Sequence, residues 1–251
     1  MQDFDLLDAV QPDSGWFAIV GIKEGVAPRQ VLVATREEAD AQVERIVAKG
    51  YNAFFGVAKY ETGENRKKEN VRALKSFWLD IDCGENKPYS TQNEGLEALK
   101  KFTKTLGLPR PIIVNSGRGL HVYWPLTAEI TRDEWEPVAD RLQQLCNVQG
   151  LGADPACFEV ARILRVPGTY NFKGDEPVEV TVICTGKPIE FEQFKKLLGV
   201  KDATVPGLFK EQLPAKRPMS HLQAQANANN EYSFAKIMRR SMKGDGCNQL
   251  K

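Results

Sequence analysis

The chain has 251 residues, of which 42% are hydrophobic, and its 34 basic and 33 acidic residues give a formal net charge of +1. This composition is ordinary for a globular protein with a core to bury, and the near-neutral charge means that polyanion binding must come from local clusters. No stretch approaches the roughly 20 apolar residues of a membrane span, and five cysteines without a CxxC pair argue against a disulfide or zinc framework.

The first part of the chain alternates between strand and helix signals. The start, MQDFDLLDAV, is acidic and unlike a signal peptide, so a cytoplasmic location is predicted. Thr35 begins and Gly50 ends the first clear helical pattern, and Gly107 with Pro109 ends the second. The predicted elements are strands over 15–22, 30–34 and 51–60, a helix over 35–49, a loop over 61–72, a strand ending at Asp82 and a helix over 91–106.

The second part begins with two apolar runs bent around SGRG, which predict a hairpin within residues 111–126. A helix over 131–146 follows, residues 151–173 lack clean periodicity, and a strand over 176–184 precedes a helix over 191–199. The apparent hairpins favour an α+β fold with a mixed or antiparallel sheet. Residues 200–230 have the composition of a linker, and 231–251 resemble the start of a helical unit that continues in a longer protein.

Two acids end a buried strand in the stretch FWLDIDCG, residues 77–84. Because side chains alternate along a strand, Asp80 and Asp82 lie on one face, with Ile81 pointing the other way. Two carboxylates that close repel each other unless a positive charge lies between them, and a divalent metal ion is the usual solution. The spacing therefore indicates a metal site.

A second cluster surrounds the tight turn in NSGRGLHVYW. Glycines on both sides of Arg118 allow the backbone to approach an anion closely, and His121 follows on the emerging strand. The other histidine, His221, lies in the predicted linker. A lone histidine is more often structural, but the convergence of these groups suits a phosphate. The residues of this cluster are Ser116, Gly117, Arg118, Gly119 and His121.

A third cluster lies in residues 153–173. Asp154 and Glu159 are each able to supply a third carboxylate, and Arg162, Arg165 and Lys173 add positive charge. The structural alternative is that Asp154 caps a short helix with Pro155 at its first position, while the arginines neutralise nearby acids. Together the three clusters are suited to metals and a triphosphate, which indicates phosphoryl or nucleotidyl transfer.

A basic segment precedes the acidic strand and is either a solvated loop or a surface for single-stranded nucleic acid. Aromatic faces and cations are what a single strand needs, through stacking and phosphate contacts. The predicted template-binding residues are Lys59, Tyr60, Arg66, Lys67, Lys68 and Arg72, with Lys75 in the same cluster.

The motifs LDID, SGRGLHVYW and an acid followed by RILRVPGTYNFK resemble, in order and spacing, the three motifs of the archaeo-eukaryotic primase (AEP) superfamily, in its phage and plasmid primase-polymerase form. The resemblance spans residues 15–195. It implies an RRM-like catalytic core with an additional α/β unit in front, and a domain layout of 1–199 for the catalytic domain, 200–230 for a linker and 231–251 for the start of a helical domain.

The resemblance also implies an activity, primer synthesis on a single-stranded DNA template from NTPs or dNTPs with two Mg²⁺ or Mn²⁺ ions. Asp80, Asp82 and a third acid are then metal ligands, with Asp154 preferred to Glu159, and His121 contacts the phosphates of the incoming nucleotide. A fused or associated helicase domain is expected in the full-length protein. Two alternatives remain: a metal-dependent nuclease and a non-catalytic RRM-like module that binds single strands.

Overall fold

A computed structural model describes residues 5–200 of the chain. The predicted linker beyond residue 200 and the predicted helical start over 231–251 lie outside the described residues. None of the described helices is long and apolar enough to cross a membrane.

The described residues form five helices and eleven strands. The helices are α1 (Leu6–Val10), α2 (Arg36–Val47), α3 (Gln92–Leu106), α4 (Arg132–Gln149) and α5 (Phe191–Leu198). The strands are β1 (Phe17–Ile22), β2 (Arg29–Val33), β3 (Asn52–Gly56), β4 (Lys59–Tyr60), β5 (Val71–Asp82), β6 (Ile112–Asn115), β7 (Gly119–Ile130), β8 (Ile163–Arg165), β9 (Tyr170–Asn171), β10 (Val178–Glu179) and β11 (Thr181–Cys184).

The first sheet has the strand order β2-β1-β3-β8, and all its pairs are antiparallel. Helix α2 covers one face, where Gly21 leaves room for Ile46. The helix begins with a capping box, in which Thr35 and Glu38 satisfy each other's backbone N–H groups. Because β8 comes from the far end of the chain, this sheet joins the N-terminal unit to the third motif.

The second sheet has the order β11-β6-β7-β5-β4 and is built around two long antiparallel strands, β5 and β7. Its helical face is tightly packed: Gly95 of α3 lies against Ile81 and Leu120, and the ring of Phe194 in α5 stacks 4.7 Å from that of Phe77. Since Ile81 points into this face, Asp80 and Asp82 point to the opposite one. The predicted α+β fold with antiparallel sheets is confirmed.

Four features differ from the sequence prediction. The strand predicted over 51–60 is two strands in different sheets, because the chain bends after Gly56, which packs against the ring of Tyr60. The strand predicted over 176–184 is likewise divided, at the buried Val180. Helix α1, whose N-terminus is capped by Asp5, was not predicted, and neither were the short strands β8 and β9.

Candidate active site

The pairing of β5 with β7 brings the first two motifs together. Asp80 lies opposite His121, and Asp82 lies opposite Gly119. The Nε2 atom of His121 is 3.8 Å from Oδ1 of Asp80, and both side chains are largely buried. The strand register thus places the two aspartates beside the glycine-rich turn, as the motif interpretation requires.

The third motif reaches the same point through the backbone of Asp154, whose N–H donates to the carbonyl of Asp80 at 2.7 Å. The Oδ1 atom of Asp154 caps the short 3-10 turn 155–157, as the structural alternative predicted, while Oδ2 faces the site. Glu159 is exposed, and its carboxylate makes no ion pair or hydrogen bond among the described contacts. The structure therefore brings Asp154, rather than Glu159, next to Asp80.

Arg162 bridges the two buried acids. One nitrogen, Nη2, lies 2.7 Å from Oδ2 of Asp80 and 2.8 Å from Oδ2 of Asp154. Burial raises the pKa of Asp80 to about 6 even though Arg162 works against it, and the charges of Asp82 and Asp154 add to the rise. Asp82 is half-exposed and pairs with Lys87 at 2.7 Å, a partner that the sequence motifs do not contain. Two basic residues, Arg162 and Lys87, thus serve three acids.

His121 is neutral in this site. Burial lowers its pKa to about 3, and the cations Arg165 and Arg162 act in the same direction. Its Nδ1 atom is buried and finds no hydrogen-bond partner among the described residues. The imidazole can thus serve a ligand oxygen as a hydrogen-bonding group but not as a cation.

This neutral state gives a testable acid sensitivity. An unfolded histidine takes up a proton near pH 6.5 and the folded one only near 3, so the unfolded state binds more protons and stability falls as the pH drops through this window. In the wild type this effect lowers the free energy of unfolding by up to about 1.4 kcal/mol per pH unit, and we expect His121→Gln to abolish it. Urea unfolding between pH 7 and 5 measures the difference.

His221→Gln is the matched control and should leave the slope of the wild type unchanged. Protonation of Asp80, whose pKa is raised to about 6, acts with the opposite sign in all three proteins, so the slopes rather than the absolute values are compared. Parallel curves for wild type and His121→Gln would contradict a neutral buried imidazole.

The SGRG turn is fixed by its two glycines. At Gly117, where φ is +90°, a Cβ would lie 2.8 Å from Cβ of Asn171, and at Gly119 it would lie 2.4 Å from the carbonyl of Ile81. Two N–H groups of the turn are already used, that of Ser116 by the carbonyl of Gly119 and that of Gly117 by Oδ1 of Asn115. These two N–H groups are therefore not available to an anion, which corrects the predicted backbone contact. Anion binding is left mainly to side chains.

The cations of the second and third motifs surround this turn. Arg118 is exposed, and its Nε donates to the carbonyl of Lys173 at 2.6 Å. The side chain of Asn171 ties the two segments together by donating to the carbonyl of Ser116 at 2.8 Å. Arg165 is half-buried beside the ring of Phe54, and no described carboxylate lies within ion-pair distance of it. Arg118 and the backbone of Lys173 thus lie together beside the turn, and Arg165 is a half-buried cation of the third motif.

The predicted template-binding residues divide into two groups. Lys59 and Tyr60 are 2% and 0% exposed, because β4 is covered by the segment around Trp16, so their predicted role in contacting a strand is wrong. Arg66 is half-buried and donates to Ala161 and Gln30. Lys67, Lys68 and Arg72 are exposed, and of these only Arg72 has a described carboxylate partner, Glu61 at 3.7 Å.

The donor chemistry of the site fits Mg²⁺ or Mn²⁺. Both ions prefer carboxylate oxygen, and the site offers the carboxylates of Asp80 and Asp154, bridged by Arg162, with Asp82 on the same face of β5. Within residues 5–200 no three acidic, histidine or cysteine side chains stand close enough to hold an ion, and Arg162 and Lys87 are bonded to the acids. Asp80, Asp82 and Asp154 are the residues that would hold it.

The fold is similar to that of a solved AEP domain. The AEP domain of the primase-polymerase of cyanophage S-2L is similar in structure, with a TM-score of 0.57 at 18% identity, covering 73% of this chain and 89% of that one. A weaker likeness, to the catalytic domain of primase RepB′ in complex with initiator DNA, has a TM-score of 0.49 at 13% identity over 74% of this chain and 86% of that one. The predicted AEP fold is confirmed.

In sequence, the chain is similar to a replication protein of Clostridium perfringens, 29% identical over 119 residues. The match covers 46% of this chain and spans 28% of that protein. No protein-family model matches the chain.

Proposed function

We propose that this chain is a DNA-templated nucleotidyltransferase, a primase or primase-polymerase that joins NTPs or dNTPs on single-stranded DNA. The observation that carries the proposal is the meeting of Asp80, Asp154 and Arg162 beside the end of β5, with Arg165 half-buried and lacking a described carboxylate partner. A cation in this state favours an anionic ligand, because a bound phosphate group would restore the interactions that burial removes. The AEP fold and the similarity to a replication protein support the same reading.

The side chains have separate tasks in this proposal. Asp80, Asp82 and Asp154 hold divalent metal, which when bound activates a hydroxyl and offsets charge at phosphorus. Arg165, Lys173 and Arg118 bind the triphosphate and accept the charge that builds on the leaving pyrophosphate. Neutral His121 donates a hydrogen bond beside Asp80, and burial around both keeps water from the reacting phosphate.

The exposed lysines of the basic loop are the proposed contacts to the template backbone. Lys67 and Lys68 project into solvent without a described carboxylate partner, so both charges are available to phosphates. Each lost contact to a single strand flattens the dependence of log K on log salt concentration by about 0.7. We therefore expect Lys67→Ala/Lys68→Ala to lower the slope by about 1.4 in a salt titration of single-stranded DNA binding.

Lys101→Ala/Lys104→Ala on α3 is the control, since it removes the same charge from another exposed surface. It should shift the slope much less. Equal slopes for the two double variants would mean that the loop attracts DNA only through net charge and makes no phosphate contacts.

The direct test is synthesis. The wild type is incubated with single-stranded DNA, Mg²⁺ or Mn²⁺ and either nucleotide class, with and without an annealed primer, and the products are sized. Products that lengthen with template support the proposal, and the nucleotide that is used defines the substrate. End-labelled DNA incubated with metal alone tests the nuclease alternative, because a nuclease shortens it and a polymerase leaves it intact.

A further inference from the structure

Asn52, the first residue of β3, belongs to none of the three motifs, yet it lies between two of the site's cationic segments. Its Oδ1 accepts from Nη1 of Arg165 at 2.6 Å and from the backbone N–H of Phe172 at 2.8 Å. Its Nδ2 donates to the carbonyl of Ile22 at 3.1 Å. One amide thus fixes β8 and the segment leading into Lys173 against the hairpin of the first sheet.

The partner of Arg165 is uncharged, which is unusual for a half-buried arginine. Burial lowers its pKa to about 10, and its guanidinium is held over the ring of Phe54, 4.7 Å from the centroid. Arg162, three residues earlier, is neutralised by two carboxylates. The charge of Arg162 is therefore neutralised within the protein, whereas the charge of Arg165 is not.

We infer that Asn52 is a positioning residue, which orients Arg165 for an anionic triphosphate while leaving the charge of Arg165 available. The inference rests on the proposed function. An aspartate would provide the same acceptor oxygen and nearly the same shape, but it would lose the donation to the carbonyl of Ile22, form an ion pair with Arg165 and repel the ligand. The neutral amide allows orientation without neutralisation.

The contrast between Asn52→Asp and Asn52→Ala tests this role. Asn52→Asp keeps the acceptor for Arg165 and Phe172, whereas Asn52→Ala loses it, so we expect the aspartate variant to unfold at higher temperature than the alanine variant. Affinity should not follow that order. Calorimetric titration with inorganic tripolyphosphate, and with ATP and dATP, should show binding to Asn52→Asp weakened by about tenfold or more relative to wild type.

Two further proteins complete the experiment. Asn147→Asp adds the same charge at an exposed position of α4 and should bind as the wild type does. Arg165→Gln should weaken tripolyphosphate binding, and adding Asn52→Ala to it should weaken binding little further, since the amide acts through the arginine.

The outcomes distinguish a failure of the role inferred for Asn52 from a failure of the proposed function. If Arg165→Gln weakens binding while Asn52→Asp binds as the wild type does, Asn52 is merely structural and the inference is overturned with the proposed function intact. Full additivity of Asn52→Ala and Arg165→Gln would overturn it as well. If the wild type binds neither tripolyphosphate nor a nucleotide, the proposed function fails and the inference with it.

Discussion

Replacing Asp80 and Asp82 together by asparagine should reduce nucleotide incorporation by more than about 100-fold, since changing even the outer-shell partners of metal ligands costs 10–100-fold. The substitution keeps the size of each side chain and removes the two charges that face the glycine-rich turn across β5 and β7. Because burial already disfavours the charged form of Asp80, as its raised pKa shows, we expect the variant to remain folded. Primer extension with Mg²⁺ and with Mn²⁺ measures the loss.

Asp140→Asn on the exposed side of α4 is the matched control and should extend primers normally. Thermal unfolding and single-stranded DNA binding are measured on all three proteins, so that a loss of activity is not confused with unfolding. If the double variant extended primers normally, these aspartates would have no part in the reaction and the proposed mechanism would be wrong.

Local signals were enough to predict helices α2 to α5. Thr35, Thr91 and Thr131 each cap a helix with the side chain, and Gly107 ends α3 in the left-handed conformation, so single residues define the ends of these helices. Helix α4 runs to Gln149, a few residues beyond the predicted end, and Gly150 terminates it. Such signals depend only on neighbours in the chain.

The errors lie where pairing between distant segments decides the structure. Three residues of β8 carry no periodicity of their own, and their place beside β3 depends on partners more than 100 residues away. In the same way Tyr60 and Lys59 appear in the sequence as an aromatic and a cation next to a basic loop. Their burial follows from the bridge to Trp16, which no local pattern indicates.

The sequence predicted three separate clusters, and the fold brings them together in one candidate site. The register of β5 against β7 and the hydrogen bond from Asp154 to the carbonyl of Asp80 are what join them. Asn52 was missed because it lies outside the motifs and acts through contacts across the fold. Lys87 was missed because it lies five residues beyond Asp82, outside the LDID motif. The signal that would have led to Asn52 is a half-buried arginine that needs a hydrogen-bond acceptor. Only the three-dimensional structure reveals that signal.

Arg162→Gln should have opposite effects with and without metal. In a chelator the variant leaves Asp80 and Asp154 without their shared counter-charge, and all three side chains are a quarter or less exposed, so we expect a loss of up to about 3 kcal/mol in the free energy of unfolding. In the proposed metal site, the divalent ion and the guanidinium would compete for the same carboxylate oxygens. Mn²⁺ should therefore raise the unfolding temperature of the variant more than that of the wild type, which must first release Arg162.

Arg132→Gln is the control for this experiment, because Arg132 also lies between two acids, Asp133 and Glu136, but at the surface. There the expected loss is below about 1 kcal/mol, with no change in the effect of Mn²⁺. An equal stabilisation of wild type and Arg162→Gln by Mn²⁺ would show that metal and arginine use different oxygens. A larger effect on the variant would mean that Arg162 holds the acids in place until metal arrives, and that its charge then becomes available to the nucleotide.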